Sequence, residues 1–315
     1  MKELIVKMSD QDISWAFSGL RSNLISKNSP LWNNASSWIS RRHLYDTSHI
    51  SVRIISIYRE KTTDSNPREK ILNATGTIVF YSDDKKLTFR SDELNITILA
   101  LTCAHVVVLE IVDNEVVYEL DEILIGKVSE ISYEFAKYLD MLDKLFERVV
   151  EVERDELNDL ALLKVVDFDR DPWYRYTGVP KTEPEQRVFL VGHPSTEYII
   201  CEDNEPPHVC TDIIPDVFEE SEDGKLQVVV YGSLNEECHN AQTIGGMNGS
   251  PCFGVGLEID SKKICFLGIH KGNSTEKKII TAAVIRKFLD NSSLMQTLSS
   301  KFDLQNVLRL IIKDD

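Results

Sequence analysis

The sequence predicts a mainly β protein: a double antiparallel β-barrel with a helical N-terminal extension, an inserted helix and C-terminal helices. Three observations predict it. Short runs rich in Val, Ile, Phe, Tyr and Thr recur in two blocks, one from Ser51 and one from Glu185. Charged or turn-rich stretches part these runs. Helical spacing is confined to the two ends and one interruption, which does not suit the strand–helix alternation of a parallel sheet.

Residues 1–48 read as a helix-and-loop extension carrying Trp15, Trp32 and Trp38. The first barrel is expected over 49–175. Its strands are "SVRIISIYRE", "NATGTIVFYS", "NITILALTCAHVVVL", "YELDEILIGKV" and "LALLKVVDF". One segment near 133–148, "YEFAKYLDMLDKLFERV", puts Phe135, Leu139, Leu142 and Phe146 on one helical face and predicts the inserted helix. The second barrel is expected over 176–282, from "EQRVFLVGHPS" through "EYIICED", "LQVVVYGS", "SPCFGVGLEI" and "KKICFLGIHKG" to "KKIITAAV". Residues 283–315 read as helical, and Leu304, Val307, Leu308 and Ile311 form an apolar stripe that must pack on something.

With 315 residues, 42% of them hydrophobic, the chain can bury a sizeable core. The net charge of −16 opposes phosphate binding and excludes nucleic acid as a partner. No apolar run is long enough to span a bilayer, so no membrane partner is expected. The start, "MKELIVKMSDQDISW", does not read as a signal peptide, and a cytoplasmic protein is expected. The six cysteines have no framework spacing and read as reduced thiols. Cys201, His208 and Cys210, with His193 upstream, match no regular zinc pattern. No metal and no cofactor are expected.

Three stretches carry the chemistry. His105, in "LTCAHVV", stands where an apolar strand ends, a place from which a ring can face a cleft. Asp159, in "NDLALLKV", opens another apolar run, where a carboxylate can accept from a histidine Nδ1–H and set its tautomer. Taken singly, these also fit a strand-end histidine and a turn residue. The third, "TIGGMNGSPCF" from Thr243 to Phe253, has glycines on both sides of Asn248. Such a loop allows a tight turn that aims backbone N–H groups at one point, or it is a plain glycine-rich hairpin. The order His, Asp, glycine loop across two barrel-like blocks is the specific signal.

On these residues the chain resembles the chymotrypsin-fold (trypsin-like) serine peptidases from about residue 50 to 290. The resemblance implies His105 as general base, Asp159 as orienting acid, and position 248 as the nucleophile, where a serine is expected. It implies an oxyanion hole from the N–H groups of Gly246 and Asn248. "RVFLVGHPS" is similar to the glycine–proline turn that opens the family's second barrel. The nearest motif resemblance is to bacterial glutamyl endopeptidases, through Thr243, Gly245, Gly246, Gly249, Ser250 and Pro251, then Gly268, Ile269, His270 and the helix "AAVIRKFL". That resemblance implies Thr243 and His270 as substrate-binding residues for an acidic side chain, since hydroxyl and imidazole both donate to a carboxylate. Lys271 adds positive charge there if it points inward.

A carboxamide at 248 cannot supply the alkoxide that attack requires. An endopeptidase-family protein that is inactive as written is therefore expected, with a protein or peptide as substrate or ligand. The alternative is a pseudopeptidase that binds extended peptides by strand addition, or a part of a larger assembly docked through its terminal segments. Ser250, Cys252 and Cys103 read as structural rather than as substitute nucleophiles.

Overall fold

The structure, a computed structural model, describes residues 47, 50–62, 67–83, 96–126, 146–166, 186–193, 213–215, 228–241, 243, 245–255, 264–272 and 277–299. Residues 1–46, the greater part of the predicted inserted helix, Cys201, His208, Cys210 and the tail after 299 lie outside them.

The first sheet is built from β1 (Ser51–Glu60), β2 (Glu69–Asp83), β3 (Ile96–Cys103), β4 (Glu110–Asp113), β5 (Val116–Gly126), β6 (Phe146–Arg148), β7 (Glu151–Asp155) and β8 (Leu160–Val165). All pairings are antiparallel, in the order β4-β5-β1-β2-β3-β8-β7, and β6 also pairs β5. The stretch from Phe146 to Asp155 thus leaves β5 and joins β8, which curls the sheet into a barrel. Most of its inward residues are β-branched or aliphatic, joined by Phe80. Val52, Ile54, Ile98, Leu101, Leu160 and Leu162 are fully buried, and this burial drives closure.

The second sheet holds β9 (Gln186–Gly192), β10 (Ile213–Pro215), β11 (Val228–Asn235), β12 (Cys238–His239), β13 (Pro251–Val255), β14 (Ile264–Gly272) and β15 (Lys277–Thr281). The order is β10-β11-β12-β15-β14-β13-β9, and β9 also pairs β11, so this sheet closes on itself. In its interior Phe189 stacks on Phe253, with centroids 5.3 Å apart, and Phe266 meets Phe253 edge to face at 5.9 Å. The fold is the mainly β double barrel expected. No helix among the described residues is long and apolar enough to cross a membrane.

One expectation is overturned. The spacing of Phe146 predicts a helical face, but Phe146–Arg148 is strand β6, paired with Leu124–Gly126. Phe146 is buried, and pairing with β5 satisfies its backbone where local spacing favours a helix.

Helices α1 (Ala282–Asn291) and α2 (Ser293–Ser299) follow β15. Thr281 caps α1 through Val284 N–H. Glu153 of β7 receives Ser293 N–H, Leu294 N–H and the Ser292 hydroxyl, so the C-terminal helices are tied back to the first barrel. Burial raises the Glu153 pKa, but these donors outweigh it and hold the carboxyl below its ordinary value.

Candidate active site

His105 lies in a short 3-10 turn, Ala104–Val106, that follows β3 directly. Asp159 precedes β8, the neighbour of β3, so the sheet itself sets the two side by side. Asp159 has a left-handed backbone, φ 57°. Its carbonyl accepts Ala104 N–H, and its Oδ1 accepts His105 N–H at 2.9 Å. His105 Nδ1 then meets Asp159 Oδ2 at 2.9 Å.

Asn248 comes from the other barrel, in the turn before β13. Its placement rests on three threonines of the first barrel. Thr75 N–H donates to Asn248 O, Thr75 Oγ1 to Gly246 O at 2.8 Å, and Thr77 Oγ1 to Gly249 O at 2.9 Å. Thr102 Oγ1 supports Thr75 by donating to its carbonyl. Gly249 has φ +89°, and a Cβ there would collide with the Thr75 carbonyl oxygen, so only glycine fits. Among the described residues, neither the Gly246 nor the Asn248 amide donates a hydrogen bond, whereas Gly249 N–H goes to His270 O and Ser250 N–H to Met247 O.

The Asn248 side chain makes two contacts. Gly272 N–H donates to its Oδ1 at 3.0 Å. The amide nitrogen Nδ2 therefore faces His105, 3.0 Å from Nε2. Because Nδ2 can only donate, Nε2 is the acceptor and the ring proton sits on Nδ1, toward Asp159.

Lys271 points into the site. Its Nζ lies 3.3 Å from Asp159 Oδ2. Burial raises the Asp159 pKa, but the hydrogen bonds from the His105 ring and amide, with the Lys271 ammonium, reverse the balance and hold it low. Cys103 Sγ, a His105 ring nitrogen and an Asp159 oxygen lie within 4.8 Å of one another, a grouping that could ligate a cation. The thiol, however, donates to His270 O, and burial pushes its pKa up. Lys271 already supplies positive charge to the carboxylate.

His270 is buried on β14, and its Nδ1 lies 2.9 Å from Nε2 of His239, also buried. Burial pushes His270 down to about 3, with His239 adding to the effect, and pushes His239 down to about 4, with Lys277 adding. Thr243, half-buried, makes no side-chain hydrogen bond to His270 among the described residues; its amide donates to Ala241 O. Ser250 is fully buried and its Oγ has no partner among the described residues, and Cys252 lies inside β13 with its thiol pKa raised by burial. Neither is presented to His105.

Reasoning from the sequence missed His239, the three threonines and the direction of Lys271. The alternation of Thr75 and Thr77 in "NATGTIVF" puts both on one strand face and was the one cue available. Nothing local in "EECHNAQT" marks His239.

Two antiparallel barrels that meet over a histidine, an aspartate and a glycine turn define the chymotrypsin-type class of fold. A family model described as a trypsin-like peptidase domain matches residues 74–256, more than half of the 315-residue chain, and the chain belongs to that family. The match takes in His105, Asp159 and Asn248 and stops before His270. No curated protein matches the chain by sequence.

Proposed function

We propose that this chain keeps the peptide cleft of a trypsin-like serine endopeptidase, with His105 as general base and Asp159 as its orienting acid. As written it binds peptides without hydrolysing them. The observation that carries the reading is the 3.0 Å contact between Asn248 Nδ2 and His105 Nε2. The nitrogen that should take a hydroxyl proton is capped by a group with no nucleophile to offer. With a serine at 248, His105 Nε2 would take its proton as Oγ attacks the scissile carbonyl carbon. The amides of Gly246 and residue 248 would hold the oxyanion. His105 would then give the proton to the leaving amine, and water would release the acyl group.

An acidic P1 preference, like that of glutamyl endopeptidases, is part of the proposal. His270 and Thr243 would line the pocket. Support comes from the His239–His270 pair and from Lys277, whose Nζ donates to Ala241 O beside it. A carboxylate entering would favour protonation of the pair, compensating the burial that keeps it neutral when empty.

The test is Asn248→Ser. The folded variant should cleave blocked peptides after Glu or Asp in preference to Lys or Phe, and should be labelled by a serine-directed phosphonate. Absence of both would overturn the catalytic assignment. Cleavage without acidic preference would overturn the pocket assignment alone.

A further inference from the structure

Strand β14 is unevenly covered. On one side it pairs with β15 as far as Gly272↔Lys277. On the other, its pairing with β13 ends at Pro251↔Ile269, extended among the described residues by the two bonds that His270 makes with Gly249 and Ser250. Among the described residues, Lys271 and Gly272 therefore have one side that pairs with no strand, and Asn248 and His105 lie on that side. An open edge with an N–H directed into a groove is what an extended chain pairs with.

That N–H is taken. Gly272 N–H donates to Asn248 Oδ1, and the same carboxamide reaches His105 Nε2. A carboxamide offers the donor and the acceptor of a peptide group. The contacts form a closed ring: Lys271 to Asp159, Asp159 to His105, His105 to Asn248, and Asn248 to Gly272, the neighbour of Lys271.

We propose that Asn248 is a built-in occupant of the groove: its carboxamide stands where a peptide group of a partner would bind, and an extended peptide enters only by displacing it. The inference rests on the reading of the cleft as a peptide groove. The Asn248 carboxamide can leave the ring without moving the chain. Its backbone is fixed by Thr75, but rotation about its side-chain bonds releases both contacts. His105 stays held by Asp159 when that happens, so the binding surface remains built. Gly272 stays reachable because it has no side chain; a Cβ there would lie 2.6 Å from the His270 ring.

The probe is a fluorescein-labelled, end-blocked decapeptide with a central glutamate, titrated by anisotropy against the full chain and its Asn248→Ala variant. The variant should bind about tenfold more tightly, the change expected when one hydrogen bond no longer competes. N-methylation of the peptide's central amide should abolish the gain. Equal or weaker binding by the variant, or no binding by either protein, overturns the proposal. A second measurement needs no variant. The Asn248 side-chain amide resonances should shift as the unmodified chain is saturated with the peptide, and unchanged resonances at saturation overturn it. Neither readout uses hydrolysis, so failure of the Asn248→Ser variant to cleave would leave this inference to stand or fall separately.

Discussion

Lys271 Nζ and Asp159 Oδ2 are 3.3 Å apart, on the carboxylate oxygen that also faces His105 Nδ1. In peptide hydrolysis the carboxylate stabilises an imidazolium that forms in passing. An ammonium on the same oxygen opposes that charge. Asn248→Ser/Lys271→Met should therefore hydrolyse peptides faster than Asn248→Ser alone. Lys271 is 44% exposed on its side chain, so solvent screening limits the gain to about three- to tenfold. Comparing kcat/KM at low and high salt checks it, with the difference shrinking as salt rises. A slower double variant would show that Lys271 is needed to hold Asp159.

The junction of the barrels should depend on Thr75. Its hydroxyl donates to Gly246 O and accepts His193 N–H at 2.8 Å. Thr75→Val keeps the shape but strands both partners, at a cost of about 1–3 kcal/mol. Thr75→Ser should recover most of it. Urea unfolding of the three proteins decides; equal midpoints for Val and Thr would refute the role.

The histidine pair makes the fold acid-sensitive. His239 is held at about 4 and His270 at about 3, against an ordinary value near 6.5. Above about pH 6.5 both are neutral in either state, and their contribution is fully present. As pH falls below that, the unfolded chain binds protons that the folded chain refuses, so stability is lost until pH passes the folded values. At pH 5 the loss should be roughly 2 kcal/mol per histidine, from about 1.5 units at about 1.36 kcal/mol each. The lowered carboxyls of Asp159 and Glu153 act in the same direction at lower pH. His239→Gln should flatten the slope between pH 7.5 and 5. An unchanged slope would refute this account.

Asn248 and Gly249 form a sequence prone to deamidation, in which the glycine amide attacks the asparagine side chain. In the fold that amide is bonded to His270 O, and both ends of the carboxamide are held. Deamidation should be at least tenfold slower in the folded chain than in urea, because it must await local opening. Peptide mapping after incubation at pH 8 measures both. Comparable rates would mean that the turn is open in solution.

The barrel class was legible because strand periodicity and turn chemistry are local. The places of His105, Asp159 and the glycine turn could be marked for the same reason: each ends or begins a strand whose pattern is visible. Phe146 shows the limit. Its helical spacing was real, but the edge of β5 claimed Phe146–Arg148. Thr75 shows another, since its partner Gly246 stands 171 positions away. Alternation on β14 left the direction of Lys271 open until Asp159, in the turn before β8 of the other barrel, was in place to attract it.

The sequence by itself determined that the chain builds two antiparallel barrels and that position 248 offers a carboxamide where attack would need a hydroxyl. Those are matters of hydrophobic period and covalent chemistry. Only the tertiary structure decided what the carboxamide does. Hydrogen bonds are directional, and Asn248 takes its orientation from His105 on one barrel and Gly272 on the other, which meet only once both barrels have closed.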